Sequence, residues 1–198
     1  MPKFSIIAVD YEKHVPRNGM VNGLKSLVNQ TFKDFELIIC HDGPKEVPYS
    51  EEFDFSQFKN KPVFMNTPVR MNDWGHSSRD MAMKKAKGEY FFQFNIDNIL
   101  YPNCLEKINE EIEEADSKII IFSIIHHKHF PGSFNFIFTG LPPIANNIDA
   151  MQLVAHRGIW GREGYWYNKE PASDGIIYEK MCQKYSYVSI PEALGENF

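Results

Sequence analysis

The chain has 198 residues, 43% of them apolar and 24% charged, the mixture of one ordinary globular domain, which excludes a disordered or fibrous chain. A net charge of -5, a pI near 5.8 and no long basic run exclude binding to a bare phosphate backbone, so no nucleic-acid partner is expected. Three widely spaced cysteines, Cys40, Cys104 and Cys182, rule out a disulfide scaffold and point to a reducing compartment.

No apolar run approaches the roughly 18 residues that span a bilayer, and Met1 to Tyr11 lacks the pattern of a signal peptide. The expectation is a cytoplasmic protein that visits a membrane surface if its substrate is lipid-linked.

Residues 3–9 (KFSIIAV) form a β-branched apolar run, read as a buried strand. After a polar loop, Asn18 is placed as the N-cap of a helix in which Val21, Leu24, Leu27 and Val28 recur at helical spacing. FELIIC (35–40) is a second buried strand, stopped by Asp42-Gly43-Pro44. Residues 45–60 read as a loop or partly ordered turn, and 62–65 as a short strand. A helix is expected over 75–87, closed by a left-handed Gly88, then an aromatic strand over 90–94. Leu105, Ile108, Ile112 and Ala115 give a helix over 102–115 with Pro102 in its first turn. Lys118–Ile125 is the most apolar strand. Loops or a hairpin are expected over 126–147, 151–160 is ambiguous between strand and helix, and 174–184 and 187–190 read as a last helix and strand. Alternating strands and helices over the first 125 residues predict an α/β fold with a mainly parallel central sheet flanked by helices. No repeat or linker divides it, so 1–198 reads as a single domain.

In an open parallel sheet, ligands bind beyond the carboxyl ends of the strands. Those ends carry Asp10 and Tyr11, then His41-Asp42-Gly43, then Asn95-Ile96-Asp97-Asn98, so each strand delivers a carboxylate to one rim. GxGxxG and GxxxxGK[ST] are both missing, which removes the main support for dinucleotide and P-loop readings. A carboxylate rim without a glycine-rich phosphate loop suggests that a divalent cation handles phosphates.

Four blocks carry a resemblance: FSIIAVDY (4–11), LKSLVNQTFKDFELIICHDGP (24–44), GHSSRDMAMKKAKGEYFFQFNIDNILYPNCLEKI (75–108) and, more loosely, GIWGREGYWYNKEPASDGIIYEKM (158–181). Their order and strand context resemble the inverting glycosyltransferases of the GT-A fold, family 2. The resemblance implies a metal-dependent enzyme that moves a sugar from a UDP-, GDP- or dTDP-linked donor to a hydroxyl on a glycan, lipid-linked or protein-linked acceptor. Residues 1–100 would form the nucleotide-sugar half and 101–198 the acceptor and catalytic-base half.

Residue by residue, the resemblance places Asp42 on the nucleotide base, where a carboxylate accepts from ring N–H groups, and Tyr11 beside it. Taken alone, Asp42 reads as a turn residue. Arg79 falls near the nucleotide, able to meet base carbonyls or diphosphate charge, with Asp80 replacing the family's Asn. Asp97, a charge at the end of an aromatic strand, becomes the ligand of Mn²⁺ or Mg²⁺. The family's Asp-x-Asp is here Asn95-Ile96-Asp97, so Asn95 is a ribose or metal contact. Asp174 becomes the general base that deprotonates the acceptor, kept ionised by its helix N-terminus. Ser173 or Asp174 could equally be that helix's cap.

In His126-His127-Lys128-His129, alternation puts His127 and His129 on one face, with His156 a conceivable third metal ligand, although a solvated strand end is the default. Trp74, Trp160, Tyr165, Trp166 and Tyr167 could stack on sugars, with core packing the default. Against the enzyme stand a non-catalytic nucleotide- or carbohydrate-binding module on the same fold, and a sugar-1-phosphate nucleotidyltransferase, whose glycine-rich loop after the first strand is absent.

Overall fold

The computed structural model describes residues 1–11, 13–127 and 134–198. In chain order it contains β1 (Phe4–Asp10), α1 (Arg17–Val28), β2 (Phe35–His41), α2 (Tyr49–Glu52), β3 (Val63–Asn66), α3 (His76–Met83), β4 (Tyr90–Asn95), β5 (Ile99–Leu100), α4 (Cys104–Ala115), β6 (Ile119–His126), β7 (Phe136–Phe138), β8 (Leu153–His156), α5 (Arg157–Glu163), α6 (Ser173–Lys184) and β9 (Val188–Asn197). The strands form one sheet in the order β3-β2-β1-β4-β8-β6-β9-β5, with β7 beside β6. The strands β1 to β4, β6 and β9 run one way, while β8 is antiparallel to both β4 and β6, and β5 and β7 are antiparallel edge additions. The mainly parallel α/β sheet read from the sequence is therefore present.

Alternation along the strands sends side chains to two apolar layers. Phe4, Ile6 and Ala8 of β1 pack with Met20, Leu24 and Leu27 of α1 and Leu105, Ile108 and Ile112 of α4. Ile7 of β1 points the other way, into a layer with Ala82 and Met83 of α3, Trp160 of α5 and Tyr178 of α6. Each fully buried Leu, Ile or Met side chain contributes about 1.5–3 kcal/mol, so both faces hold their helices firmly.

Several boundaries differ from the sequence expectation, each for a local reason. Helix α1 starts at Arg17 after Pro16, and Asn18 lies within its first turn, its Oδ1 accepting from Gly19 N–H at 3.0 Å, so Asn18 is not the cap. Helix α3 ends at Met83, and Gly88 is not left-handed. What Gly88 supplies is proximity: a Cβ there would stand 2.5 Å from the backbone nitrogen of Ser5. Helix α4 begins at Cys104, two residues beyond Pro102. The ambiguous 151–160 segment is both things in turn, β8 followed at once by α5, with the His156 ring accepting from Gly158 N–H at 3.0 Å to cap the helix. The last strand runs to Asn197 because it pairs with β6 over its whole length, across a bulge near Ser123.

Candidate active site

The carboxyl ends of β1, β2 and β4 open on a cavity of about 600 Å³ whose wall includes Tyr11, Asp42, Arg79, Asn95, Asp97 and Asp174. Six residues singled out in five separate segments of the sequence thus meet in one place. Two glycines of α1 make this possible. Gly23 lies under the turn after β4, where a Cβ would come within 2.0 Å of the Ile96 carbonyl oxygen, and at Gly19 a Cβ would meet that of Asp97 at 3.2 Å. The helix therefore clamps the Asn95-Ile96-Asp97-Asn98 turn against the sheet.

The carboxylates of the rim are not equivalent. Asp10 is buried and fully engaged: Arg17 reaches both its oxygens, at 3.0 and 3.3 Å, and the Tyr49 hydroxyl donates at 2.9 Å. It braces α1 and α2 against β1. Asp42 is also buried, and it accepts from the main-chain N–H of Met71 (2.7 Å) and Asn72 (3.0 Å) and from the Thr67 hydroxyl (3.2 Å). It is more than the turn residue of Asp-Gly-Pro, because it anchors the whole 67–72 loop at the cavity edge. That loop brings Arg70, which the sequence reading missed. The Arg70 guanidinium lies 3.6 Å from the centre of the Tyr11 ring, is hydrogen-bonded to its hydroxyl, and approaches Asp42 at 3.9 Å.

Arg79 is 2% exposed. One of its nitrogens donates to the Trp74 carbonyl at 3.0 Å and another to the Asn95 side-chain oxygen, while its Nε is buried without a partner. Burial pulls its pKa below the usual arginine value, and Asp174 and Asp149 pull it back; arginine remains charged under such opposition. Beneath it lies Trp166, 5.2 Å from the guanidinium to the ring centre. The Trp166 indole N–H donates to His76 Nδ1 at 3.0 Å, and the His76 Nε2–H donates to the Glu170 carbonyl at 2.9 Å. Burial, with Arg79 nearby, pushes the His76 pKa down to about 4. A neutral imidazole thus ties α3 to the 165–171 segment.

The same cavity is lined by two carboxyl groups whose charges act on Arg79, Asp174 and Asp149. Asp174 is the second residue of α6, whose cap position is Ala172, and the Ser173 hydroxyl donates away from the helix to the Asn168 carbonyl. Neither Ser173 nor Asp174 is the cap. The Asp174 carboxylate accepts from Gly175 N–H at 2.9 Å. Its pKa is raised, because desolvation outweighs the N–H groups of the helix start and of Ala150 and the charge of Arg79. This reverses the expected lowering by the helix terminus. The neighbour is Asp149, which the sequence reading did not single out. It caps the turn at 150–152, accepting from Met151 N–H at 2.9 Å while Gln152 accepts from its own N–H, and its other oxygen accepts from the Asn197 amide at 2.7 Å. Burial, reinforced by Asp174, pushes its pKa up to about 6. The spacing Asp149-x-x-Gln152 was the legible signal, a capping box. Close approach of α6 to the 145–146 segment needs Gly175, where a Cβ would lie 2.8 Å from the Ala145 Cα.

The histidine cluster does not gather. His127 Nε2 lies 2.7 Å from Glu196, and its ring stacks on Phe198 at 4.3 Å. His156 sits beside Tyr90, and its neighbour Ala155 pairs with Ile119 at the start of β6, the far end from His127. His129 lies outside the described residues. Among the described residues no group of three or more His, Cys, Asp or Glu is placed to hold a metal ion. Of the aromatics, Trp160 and Trp166 are fully buried, whereas Trp74 is 66% exposed at the cavity.

A parallel α/β sheet interrupted by one antiparallel strand, with an Asn-x-Asp turn beside a nucleotide-sized cavity, defines a GT-A-type fold. The sequence profile described as glycosyl transferase family 2 matches residues 13–152, and the chain belongs to that family. An uncharacterized glycosyltransferase of Methanocaldococcus jannaschii is 29% identical over 125 residues, 63% of this chain and 42% of that protein. Glycosyltransferase GlyG of Streptococcus pneumoniae is 24% identical over 126 residues, 61% of this chain and 40% of its own. The chain therefore matches about two-fifths of the length of these relatives. Among solved structures, Staphylococcus aureus TarS 1–349 in complex with UDP superposes with a TM-score of 0.78 at 15% identity, over 98% of this chain and 60% of that one. The mannosyltransferase PcManGT of Pyrobaculum calidifontis, in complex with GDP-Man and Mn²⁺, gives 0.71 at 11% identity, over 99% and 56%. These likenesses establish the fold. No helix among the described residues is long and apolar enough to cross a membrane.

Proposed function

We propose that this chain transfers a sugar, with inversion, from a nucleoside-diphosphate donor to a hydroxyl acceptor. What supports this most is the convergence of Tyr11, Asp42, Arg79, Asn95, Asp97 and Asp174 on one cavity, in a fold whose solved neighbours hold UDP and GDP-Man. On this reading the base lies beside Tyr11 and Asp42, which Arg70 bridges, and the Asp42 carboxylate retains acceptor capacity beyond the loop N–H groups it holds. The Asn95 oxygen is taken by Arg79, so its amide N–H₂ is the group offered to a ribose hydroxyl, and the Arg79 charge faces the diphosphate.

A divalent ion suits the donor set in one respect: Asp97 presents a hard carboxylate to the cavity, and Mg²⁺ or Mn²⁺ needs only one or two carboxylates when phosphates supply the remainder. Bound there, the ion would offset charge on the departing diphosphate. Asp174 accepts the acceptor's proton as that oxygen bonds to the anomeric carbon, opposite the C–O bond that breaks, and the nucleoside diphosphate leaves with the bonding pair. A raised carboxyl pKa makes a stronger base than an ordinary aspartate. We assign donor binding to 1–100 and acceptor and base to 101–198, in a reducing, cytoplasmic setting, with a glycan or glycolipid acceptor.

The test is a thermal-shift and hydrolysis screen of UDP-, GDP- and dTDP-sugars with and without Mn²⁺. One nucleotide is expected to raise Tm by about 5–10 °C near 100-fold Kd, and less without the ion. Binding without turnover in any acceptor mixture would favour the non-catalytic module, and no binding at all would overturn both readings.

A further inference from the structure

The first ring on the cavity wall is one that the core does not use. Trp74 is 66% exposed, and its backbone is left-handed at φ 54°, a region that is strained for a bulky side chain and is held only when surrounding structure over-determines it. Here it is held twice. Arg79 grips the Trp74 carbonyl at 3.0 Å, and Asp73 accepts from the Ser77 N–H at 3.0 Å and hydroxyl at 2.6 Å. Glycine would occupy that backbone without strain, so the indole is present for what it faces. It faces the cavity whose wall also carries Asp149 and Asp174; the Asp174 charge acts on Asp149, and the N–H of Ala150, next to Asp149 in the chain, reaches Asp174. Asp149 has given one hydrogen bond's worth of each oxygen to Met151 and Asn197, and a carboxylate accepts about four in all. Arg79, whose Nε is buried without a hydrogen-bond partner, also lines this cavity.

We propose that Trp74 and Asp149 form the acceptor subsite, and that the acceptor is a pyranoside offering adjacent ring hydroxyls. This rests on the transferase reading above. The flat indole takes the apolar C–H face of the ring. Asp149 accepts from one hydroxyl, and the hydroxyl beside it is the one Asp174 deprotonates. A serine or threonine side chain, or a simple lipid alcohol, has one hydroxyl and no ring face, and would offer the indole no ring to stack on and Asp149 no second hydroxyl.

The experiment offers the wild-type enzyme, with Mn²⁺ and the donor found in the screen, methyl glycopyranosides of glucose, galactose, mannose and N-acetylglucosamine. A threonine-containing peptide and n-butanol serve as the contrasting probes. Nucleoside diphosphate release above the hydrolysis background is measured, with products identified by mass spectrometry. At least one pyranoside is expected to be glycosylated in preference to peptide and butanol. Trp74→Gly and Asp149→Asn should each raise the KM for that pyranoside by about tenfold or more, with donor Kd within about twofold. The glycine variant should melt no lower than wild type, because it relieves the left-handed strain, whereas a merely structural tryptophan would lower Tm and leave KM alone. Transfer to peptide or butanol in preference, donor hydrolysis with no pyranoside glycosylated, or an unchanged acceptor KM in Trp74→Gly overturns the acceptor assignment and leaves the transferase standing. Failure of the wild type to bind or hydrolyse any nucleotide sugar overturns the transferase reading itself.

Discussion

The two walls of the cavity are built on opposite electrostatic plans. On the wall from β1, β2 and β4, the carboxylates are already tied to neighbours: Asp10 to Arg17 and Tyr49, and Asp42 to the 67–72 loop. On the wall from the 145–150 segment and α6, Asp149 and Asp174 lose more by desolvation than their hydrogen bonds return, and both pKa values rise. The first arrangement suits a surface that must recognise one nucleotide without reorganising. The second suits a surface where a proton must move. Desolvation of this kind costs stability and raises basicity, a pattern common at active sites.

Disabling the first wall should be drastic. Asp97→Ala is expected to abolish transfer and the Mn²⁺-dependent part of donor affinity, with the circular dichroism spectrum and Tm retained; normal Mn²⁺-dependent binding and turnover would place the metal elsewhere. Gly23→Ala strikes the same turn from below, since its new methyl would sit 2.0 Å from the Ile96 carbonyl. Overpacking of that kind destabilises by about 1–3 kcal/mol, or about 2–12 °C in Tm at this chain length, and donor affinity should fall with it. An unchanged melt would mean that α1 does not clamp the turn. Asp42→Ala should weaken nucleoside diphosphate binding by about 1–3 kcal/mol, and Asp42→Asn by less, because its amide oxygen still accepts. Equal calorimetric affinity of Asp42→Ala and wild type would remove Asp42 from the base site.

The second wall should reveal itself through pH. Asp149 has a folded pKa of about 6, above the ordinary aspartate value, and Asp174 is raised as well. Between about pH 4 and about pH 6 the folded chain therefore keeps protons that the unfolded chain has released, so these groups make stability fall as pH rises through that window. Asp149→Asn should flatten this part of the Tm profile and raise Tm modestly at pH 7. A profile of Asp149→Asn parallel to wild type would show that the carboxyl is not desolvated.

The parallel wall was the legible one, for physical reasons. Strands buried on both faces read as continuous apolar runs, and the polar residues at their ends stand out, so Asp42, Asn95 and Asp97 were found with their strands. Helix α6 was legible from its period, and the family resemblance singled out Asp174 at its start. Harder to read were features that depend on chain segments meeting late. Arg70 reaches Tyr11 only because Asp42 gathers the 67–72 loop. Asp149 matters only because Gly175 lets α6 approach. The antiparallel β8 was hidden by length, four residues running straight into a helix. Trp74 stands in the sequence as one of five aromatics that could stack on a sugar, with core packing the default, because composition does not distinguish a buried indole from one held outward by a left-handed backbone.

The most direct measurement is single-turnover and steady-state kinetics of Asp174→Asn, with the anomeric configuration of the product read by NMR. Asparagine keeps the size of the side chain and an oxygen for the Gly175 N–H, but it cannot take a proton. A general base in a single displacement predicts kcat lower by about 10²–10⁴-fold, donor Kd within about twofold, and an inverted product from the wild type. Full activity in Asp174→Asn, or a wild-type product that retains the donor's configuration, would contradict it.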